Sequence, residues 1–148
     1  MNVEEVIKSG VMLPPDRRTI IHLLLVGNRI NDALSQSLKP FGVSLQQFNV
    51  LRILRGQKGE PANLSTLNER MVHKMSNTTR LVDKLISRGF VDRQVCPSNR
   101  RKVEITITTA GEKALTQMDQ AIDQTQSELT RDFDDEMLAT LNELLDKF

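Results

Sequence analysis

The spacing of apolar residues along the chain predicts a protein built mainly from α-helices. Over most of its length, apolar residues recur three or four positions apart, which places them on one face of a helix. This spacing predicts helices over residues 16–39, 45–54, 65–72, 76–88 and 110–131, with a final helix from about Asp134. Residues 103–108 instead alternate between apolar and polar types, a pattern typical of a β-strand with one buried face.

Two short helices joined by a tight turn stand in the middle of this pattern. The first is predicted from about Ser65 to Val72, and three residues, 73–75, follow it. The second is expected to begin at Ser76, a residue type that caps helix starts, and to stop at Gly89. A connection this short is typical of a helix-turn-helix, although a surface helix pair in another all-α fold has the same pattern.

The second of these helices has one apolar and one polar face. At about 100° per residue, its apolar side chains gather on one side, which can pack into a core. The opposite side carries hydroxyl, amide and guanidinium groups that can reach base edges of DNA without a bulky side chain in the way. The candidates for contact in the major groove are Ser76, Asn77, Thr79, Arg80 and Lys84.

Two stretches rich in β-branched residues then predict a β-hairpin, or wing. Its strands are expected at residues 90–95 and 103–108, and the segment between them has the composition of a turn. A short third strand is expected near Ala62. The turn-forming cluster at 96–101 ends in Arg100 and Arg101, and Lys102 follows it. These charges either keep a solvated hairpin soluble or contact an anionic partner such as the minor groove and phosphates of DNA.

The distribution of charge favours the contact with DNA. The whole chain has 20 Lys and Arg against 19 Asp and Glu, a formal net charge of +1. Residues 70–102 contain the second of the two short helices and the tip of the predicted wing. They carry nine basic and two acidic residues, a local charge of +7. Residues 103–148 carry eleven acidic and three basic residues, a local charge of −8. Basic charge concentrated in this way is the electrostatic footprint of a protein that binds phosphates.

The flanking helices carry more apolar surface than the central segment can cover. We expect a second copy of the chain to cover it, although a monomer that folds these helices back on itself is the alternative. Three parts are therefore predicted. Residues 1–40 form an arm and a first dimerisation helix, 41–109 form a winged helix-turn-helix domain that binds DNA, and 110–148 form the C-terminal dimerisation helices.

Several segments together resemble the MarR family of bacterial transcriptional regulators. They are LQQFNVLRIL, LSTLNERM, MSNTTRLVDKLISRGFVDR and SNRRKVEITITTAG, and the resemblance covers about residues 18–148. It implies a mainly helical, winged helix-turn-helix homodimer that binds a pseudo-palindromic operator in double-stranded DNA. It also implies that the helix at 76–88 enters the major groove, and that Arg100 and Arg101 match the arginines of the family's wing. Asn99 stands where the family usually has Asp, so it can hydrogen-bond but cannot form an ion pair.

The resemblance further implies a repressor relieved by a small molecule, often an aromatic acid, that binds in the crevice between the dimer helices and the winged domain. The residues also leave open a function of another class. In that alternative, the winged helix is a module for protein contacts and its basic face binds an acidic partner. Specific, salt-sensitive binding to one palindrome distinguishes the regulator from this alternative.

Other chemistry has little support in the sequence. The two histidines, His22 and His73, are 51 positions apart, and no residues have the spacing of metal ligands or of a catalytic site. We therefore expect no metal, no cofactor and no enzymatic activity. Cys96, the single cysteine, is interpreted as a small residue tolerated in the hairpin, with oxidant sensing as the alternative. Since no apolar run reaches the about 20 residues of a membrane span, we expect a cytoplasmic protein.

Overall fold

A computed structural model gives the fold of the chain. It describes residues 1–72 and 77–148, and for Arg100 and Arg101 it describes the backbone alone. The predicted turn at 73–75 and the predicted helix cap Ser76 lie outside the described residues. The elements, in chain order, are α1 Val3–Val6, α2 Pro15–Leu38, α3 Leu45–Gly56, α4 Leu64–Arg70, α5 Thr78–Ser87, β1 Val91–Cys96, β2 Asn99–Ile107, α6 Thr109–Thr130 and α7 Asp135–Leu145.

The helices lie close to where the apolar spacing predicts them, and local capping sets several of their starts. Ser44 forms a capping box with Gln47 at the start of α3, which satisfies two backbone amides at once. The Asn63, Thr108 and Asp134 side chains accept hydrogen bonds from the first turns of α4, α6 and α7. The pattern of hydrogen-bonding residues before apolar runs therefore predicts these boundaries.

The short helix α1 has no counterpart in the prediction. Asn2 caps it, Val3 is buried, and α1 packs against α2. The Arg18 guanidinium donates a hydrogen bond of 3.0 Å to the Glu4 carboxylate. A hydrogen bond from its own backbone amide, together with the Arg18 side chain, lowers the pKa of Glu4. The arm is thus held to α2 by a contact between residues that are distant in sequence.

The core lies where the helix-turn-helix meets the wing and the two long helices. Helix α3 is central, because it packs against α2, α4, α5, α6 and β2. The core includes one fully buried residue from each of five elements, namely Leu51, Leu67, Leu85, Ile105 and Leu115. Helices α2 and α6 also pack against each other, so the winged part is continuous with the long helices.

Strands β1 and β2 form an antiparallel hairpin with regular pairing from Val91 to Val95. An isolated residue extends this sheet. Ala62 exchanges two backbone hydrogen bonds, of 2.9 and 2.8 Å, with Ile105 in β2. The expected short strand near Ala62 is thus confirmed as a single bridge.

The tip of the hairpin differs from the prediction. Cys96 pairs with Asn99, so the turn has two residues rather than the six that the composition predicts. The next pair joins Val95 to Val103, and the three intervening residues of β2, 100–102, form a bulge. The basic residues 100–102 therefore belong to β2 and not to the turn. A bulge bends its strand and re-aims the side chains that it carries.

The terminal helices leave much of their apolar surface exposed. Leu38 is the buried residue of α2, and α7 has none. The exposed large apolar residues of these helices and the segment between α6 and α7 include Ile20, Leu23, Leu24, Ile30, Phe133, Met137, Leu141, Leu144 and Leu145. Among the described residues, no helix is both long and apolar enough to cross a membrane.

Candidate nucleic-acid interface

The helix pair α4 and α5 is fixed by an apolar face and by one polar contact. Leu81, Val82 and Leu85 of α5 are buried, and α5 packs against both α3 and α4. Thr78, at the start of α5, is also buried, and its hydroxyl donates a hydrogen bond to the side-chain oxygen of Asn68 in α4. Because both kinds of contact act on one helix, its orientation in the fold is well determined.

The opposite face of α5 is exposed, as the sequence pattern predicts. Thr79, Arg80 and Lys84 all lie on it, and Asn77 is exposed directly before the helix. The start of the helix differs from the prediction. Its first residue is Thr78 and its cap position is Asn77, whose side chain makes no capping hydrogen bond. The predicted site residues of the described part of this helix therefore share one accessible surface.

Two arginines of residues 70–102, the segment with a local charge of +7, form contacts within the protein. Arg93 of β1 forms an ion pair of 2.7 Å with Asp83, which lies on the exposed face of α5. Arg88, directly after α5, donates hydrogen bonds to the backbone carbonyls of Phe41 and Gly42, in the turn between α2 and α3. The net charge predicted for the segment counts both as free cations. The structure instead places both in contacts within the protein, because Arg93 joins β1 to α5 and Arg88 joins the end of α5 to the turn after α2.

Other cations of the segment are available to a ligand. In the part of the chain that the structure describes, Arg70, Arg80, Lys84 and Lys102 are exposed and form no ion pair. Three of these residues lie on α4 and α5, and Lys102 lies in the bulge of β2. Cations without acidic partners can neutralise phosphates and release their counterions.

The wing is attached firmly at its base. The Thr108 hydroxyl donates a hydrogen bond of 2.7 Å to the carbonyl of Gly89 and accepts one of 3.0 Å from the Gly111 amide. Gly111 packs so closely on the Phe90 carbonyl that a Cβ there would overlap it. The backbone of Arg100 and Arg101 lies at the other end of the hairpin, in the bulge of β2. At the tip, the half-buried Cys96 lies 3.2 Å from the Ser98 hydroxyl.

A cavity of about 1020 Å³ lies away from the helix-turn-helix, between α2, the end of α6 and α7. Its wall is largely apolar and includes Val26, Ile30, Leu129, Phe133 and Leu141. His22 lines the cavity and is partly exposed. Among the described residues, no group of three His, Cys, Asp or Glu side chains is placed to hold a metal ion.

Comparison with known proteins places this geometry in a family. The MarR family model matches residues 43–103, from the turn before α3 to the middle of β2. The HTH-type transcriptional regulator YdgG of Bacillus subtilis is 36% identical over 104 residues, which cover 69% of this chain and 67% of the relative.

Solved structures agree in both fold and sequence. A mutant of MarR from Escherichia coli complexed with operator DNA has a TM-score of 0.75 and 28% identity, covering 97% of this chain and 95% of the other. CouR from Rhodococcus jostii RHA1, bound to p-coumaroyl-CoA, has a TM-score of 0.73 and 26% identity, covering 84% and 87%. The chain therefore belongs to the MarR family of winged-helix transcriptional regulators.

Proposed function

We propose that this protein is a homodimeric repressor that binds a pseudo-palindromic operator in double-stranded DNA and is released from it by a small-molecule effector. The observation that carries the proposal is the exposed face of α5. On it, Arg80 and Lys84 have no acidic partner among the described residues, whereas the neighbouring Arg93 is paired with Asp83. The likeness to a MarR protein complexed with operator DNA supports this assignment.

The start of α5 is proposed to read base edges in the major groove. Thr79 and Arg80 lie in its first turn, where a recognition helix approaches the bases most closely. A guanidinium can donate two hydrogen bonds to a guanine, so Arg80 is the residue we expect to discriminate most strongly. Ser76, Asn77 and Lys84 complete the proposed contact surface.

The wing is proposed to contact the adjacent minor groove and the phosphates. Arg100, Arg101 and Lys102 follow one another in the bulge of β2, at the exposed end of the hairpin. Narrow minor grooves concentrate negative potential, which attracts a guanidinium. We assign Arg100 to the groove, and Arg101 and Lys102 to phosphate contact or to the support of the hairpin.

A second copy of the chain is proposed to cover the terminal helices. Three of the exposed apolar residues of α2 and α7 line the cavity between these helices and α6, namely Val26, Ile30 and Leu141. Apolar surface of this extent on neighbouring helices is typical of an interface between protomers. A symmetric dimer would also present two α5 helices to the two halves of a palindrome.

The effector is proposed to be a small organic molecule, of which aromatic acids are the first class to test. The likeness to CouR bound to p-coumaroyl-CoA supports an effector of this kind. A ligand that binds the free dimer more tightly than the DNA-bound dimer must lower operator affinity by the same factor, because the two equilibria are linked.

Selection of DNA fragments by the purified protein tests the proposal directly. We expect a palindromic consensus, and tighter binding to it than to a scrambled duplex of the same composition by at least about a thousandfold at physiological salt. Equal affinity for the consensus and the scrambled duplex would contradict a sequence-specific regulator. A protein complex that forms without DNA and competes with it would favour the protein-contact module.

A further inference from the structure

Arg88 joins the end of α5, the proposed recognition helix, to the turn that connects α2 to α3. Its Nη2 donates a hydrogen bond of 2.6 Å to the Phe41 carbonyl, and its Nη1 donates one of 3.2 Å to the Gly42 carbonyl. The same guanidinium lies over the Phe90 ring, 5.3 Å from the ring centroid. One planar group thus contacts the segment that follows α2 and the residue that precedes β1.

Gly42, on the other side of this contact, leaves space for the guanidinium. Gly42 has a φ of +62°, a left-handed conformation that side chains disfavour. A Cβ at Gly42 would lie 2.8 Å from Arg88 Nη1. The left-handed backbone therefore favours a glycine, and a Cβ would in addition displace the end of the Arg88 side chain.

The chemistry of this contact is specific to arginine. The flat, forked guanidinium can donate hydrogen bonds to two carbonyl oxygens and stack on an aromatic ring at the same time. A lysine ammonium is a single point charge on a flexible stem and cannot do both. A guanidinium whose donors are directed at protein carbonyls is also poorly placed to serve as a phosphate contact. Its effect on DNA binding must then come through the orientation of α5.

We infer that Arg88 is a positioning residue that fixes the direction of the recognition helix relative to α2, and thereby the half-site spacing that the dimer accepts. The inference rests on the proposed function, because α2 belongs to the proposed dimer interface. In a dimer, the separation and angle of the two recognition helices set the spacing of the operator halves. A looser joint between α5 and α2 should widen the range of spacings that are bound.

The experiment compares operators that differ in spacing alone. The palindrome selected by the wild-type protein is lengthened or shortened at its centre by one or two base pairs, and each duplex is titrated at several salt concentrations. The variants are Arg88→Ala, Arg88→Lys and Gly42→Ala. Gly56→Ala is the matched control, since a Cβ there meets nothing within 4 Å. Thermal unfolding and light scattering verify that each variant is folded and dimeric.

For the wild-type protein we expect a clear preference for one spacing. Arg88→Ala should lower the ratio of affinities between this spacing and its neighbours about fivefold or more, as expected for the loss of a coupling between packed elements. Arg88→Lys should not restore the ratio, and Gly42→Ala should reproduce the effect. Gly56→Ala should leave the ratio unchanged. If Arg88→Ala does not fold, the lysine and Gly42 variants carry the test.

Three other outcomes would overturn the inference. A uniform loss of affinity that lysine restores, with a salt slope lower by about one, would make Arg88 a phosphate contact. A uniform loss at an unchanged salt slope would make it a purely structural residue. A wild-type protein that binds its palindrome specifically but accepts all spacings equally would remove the positioning role alone. A wild-type protein without any specific binding would refute the proposed function itself.

Discussion

The central winged region and the terminal helices differ in how much of their apolar surface is buried within a single chain. In the central region, α3 and α5 bury most of their apolar side chains, and polar contacts such as Thr78 to Asn68 fix the helix pair. Helices α2 and α7 lie wholly within the described residues, yet Leu38 is the one buried residue that they contribute. The central winged region thus buries its apolar surface within one chain, whereas α2 and α7 leave most of theirs exposed.

The largest effect is expected from breaking the terminal surface. Leu141→Asp places a charge on the exposed apolar face of α7, beside the cavity. Buried at an interface, that charge would have no partner, so the dimer should dissociate. Operator affinity should fall about 10²- to 10⁴-fold, because two linked half-site contacts become independent. Light scattering and DNA titration measure the two effects. Glu143→Asp, which keeps the charge on the same helix, is the control.

A core substitution in the central region should act differently. Leu51 is fully buried in α3, so Leu51→Ala should lower the free energy of unfolding by about 2–5 kcal/mol through lost burial and a cavity. Chemical denaturation measures it. At concentrations where the protein remains dimeric, this loss should be the same at high and low protein concentration. If Leu51→Ala lowered the free energy of unfolding only in dilute samples, its effect would instead come from weaker dimerisation.

The direct-readout assignment gives the next effect in size. Arg80→Ala should cost about 1–3 kcal/mol of operator binding and relax the preference at one position of each half-site. Titration against operators with single base changes measures both quantities. Ser87→Ala, exposed at the far end of α5, is the control. Equal weakening on all sequences would show that Arg80 contacts phosphate rather than a base.

The wing should give a smaller and qualitatively different effect. Arg100→Ala should lower the slope of log K against log salt by about one unit, and it should weaken binding more on A·T-rich than on G·C-rich flanks. A salt series on both kinds of operator measures this. An unchanged slope would remove Arg100 from the interface. Asn99→Asp, which restores the family's usual acid, should tighten binding slightly if the wing becomes stiffer.

The ion pair between Asp83 of α5 and Arg93 of β1 should give the smallest effect. Asp83 and Arg93 are both partly exposed, so a double-mutant cycle with Asp83→Asn and Arg93→Gln should give a coupling of about 0.2–1 kcal/mol in stability. The fully exposed pair of Arg131 and Asp132, at 3.7 Å, is the matched control and should show almost none. Equal couplings in the two pairs would show that Asp83 does not brace the wing.

The sequence predicts the elements that depend on local pattern. Apolar spacing locates the long helices, and side chains such as Ser44 and Asp134 mark where helices begin. The exposed face of α5 also follows from its periodicity. The short bridge at Ala62 is suggested by the break in pattern around it.

Contacts between distant residues could not be read in the same way. Arg88 and Arg93 look like free cations in the sequence, because nothing local shows that Arg88 contacts the turn after α2 and Arg93 contacts Asp83. The ion pair of Glu4 in α1 with Arg18 in α2 likewise joins residues that local pattern does not connect. The turn at Cys96 is shorter than its composition suggests, since strand register, not residue type, decides where pairing resumes. Net charge in a segment therefore overstates the charge that a ligand meets.

Titration of the selected operator and of a scrambled duplex with the wild-type protein over a salt series tests the central claim most directly. We predict two chains bound per palindrome, a large preference for the palindrome, and an affinity that falls linearly with salt on logarithmic axes. Equal binding of both duplexes, or one chain bound per palindrome at saturation, would contradict it.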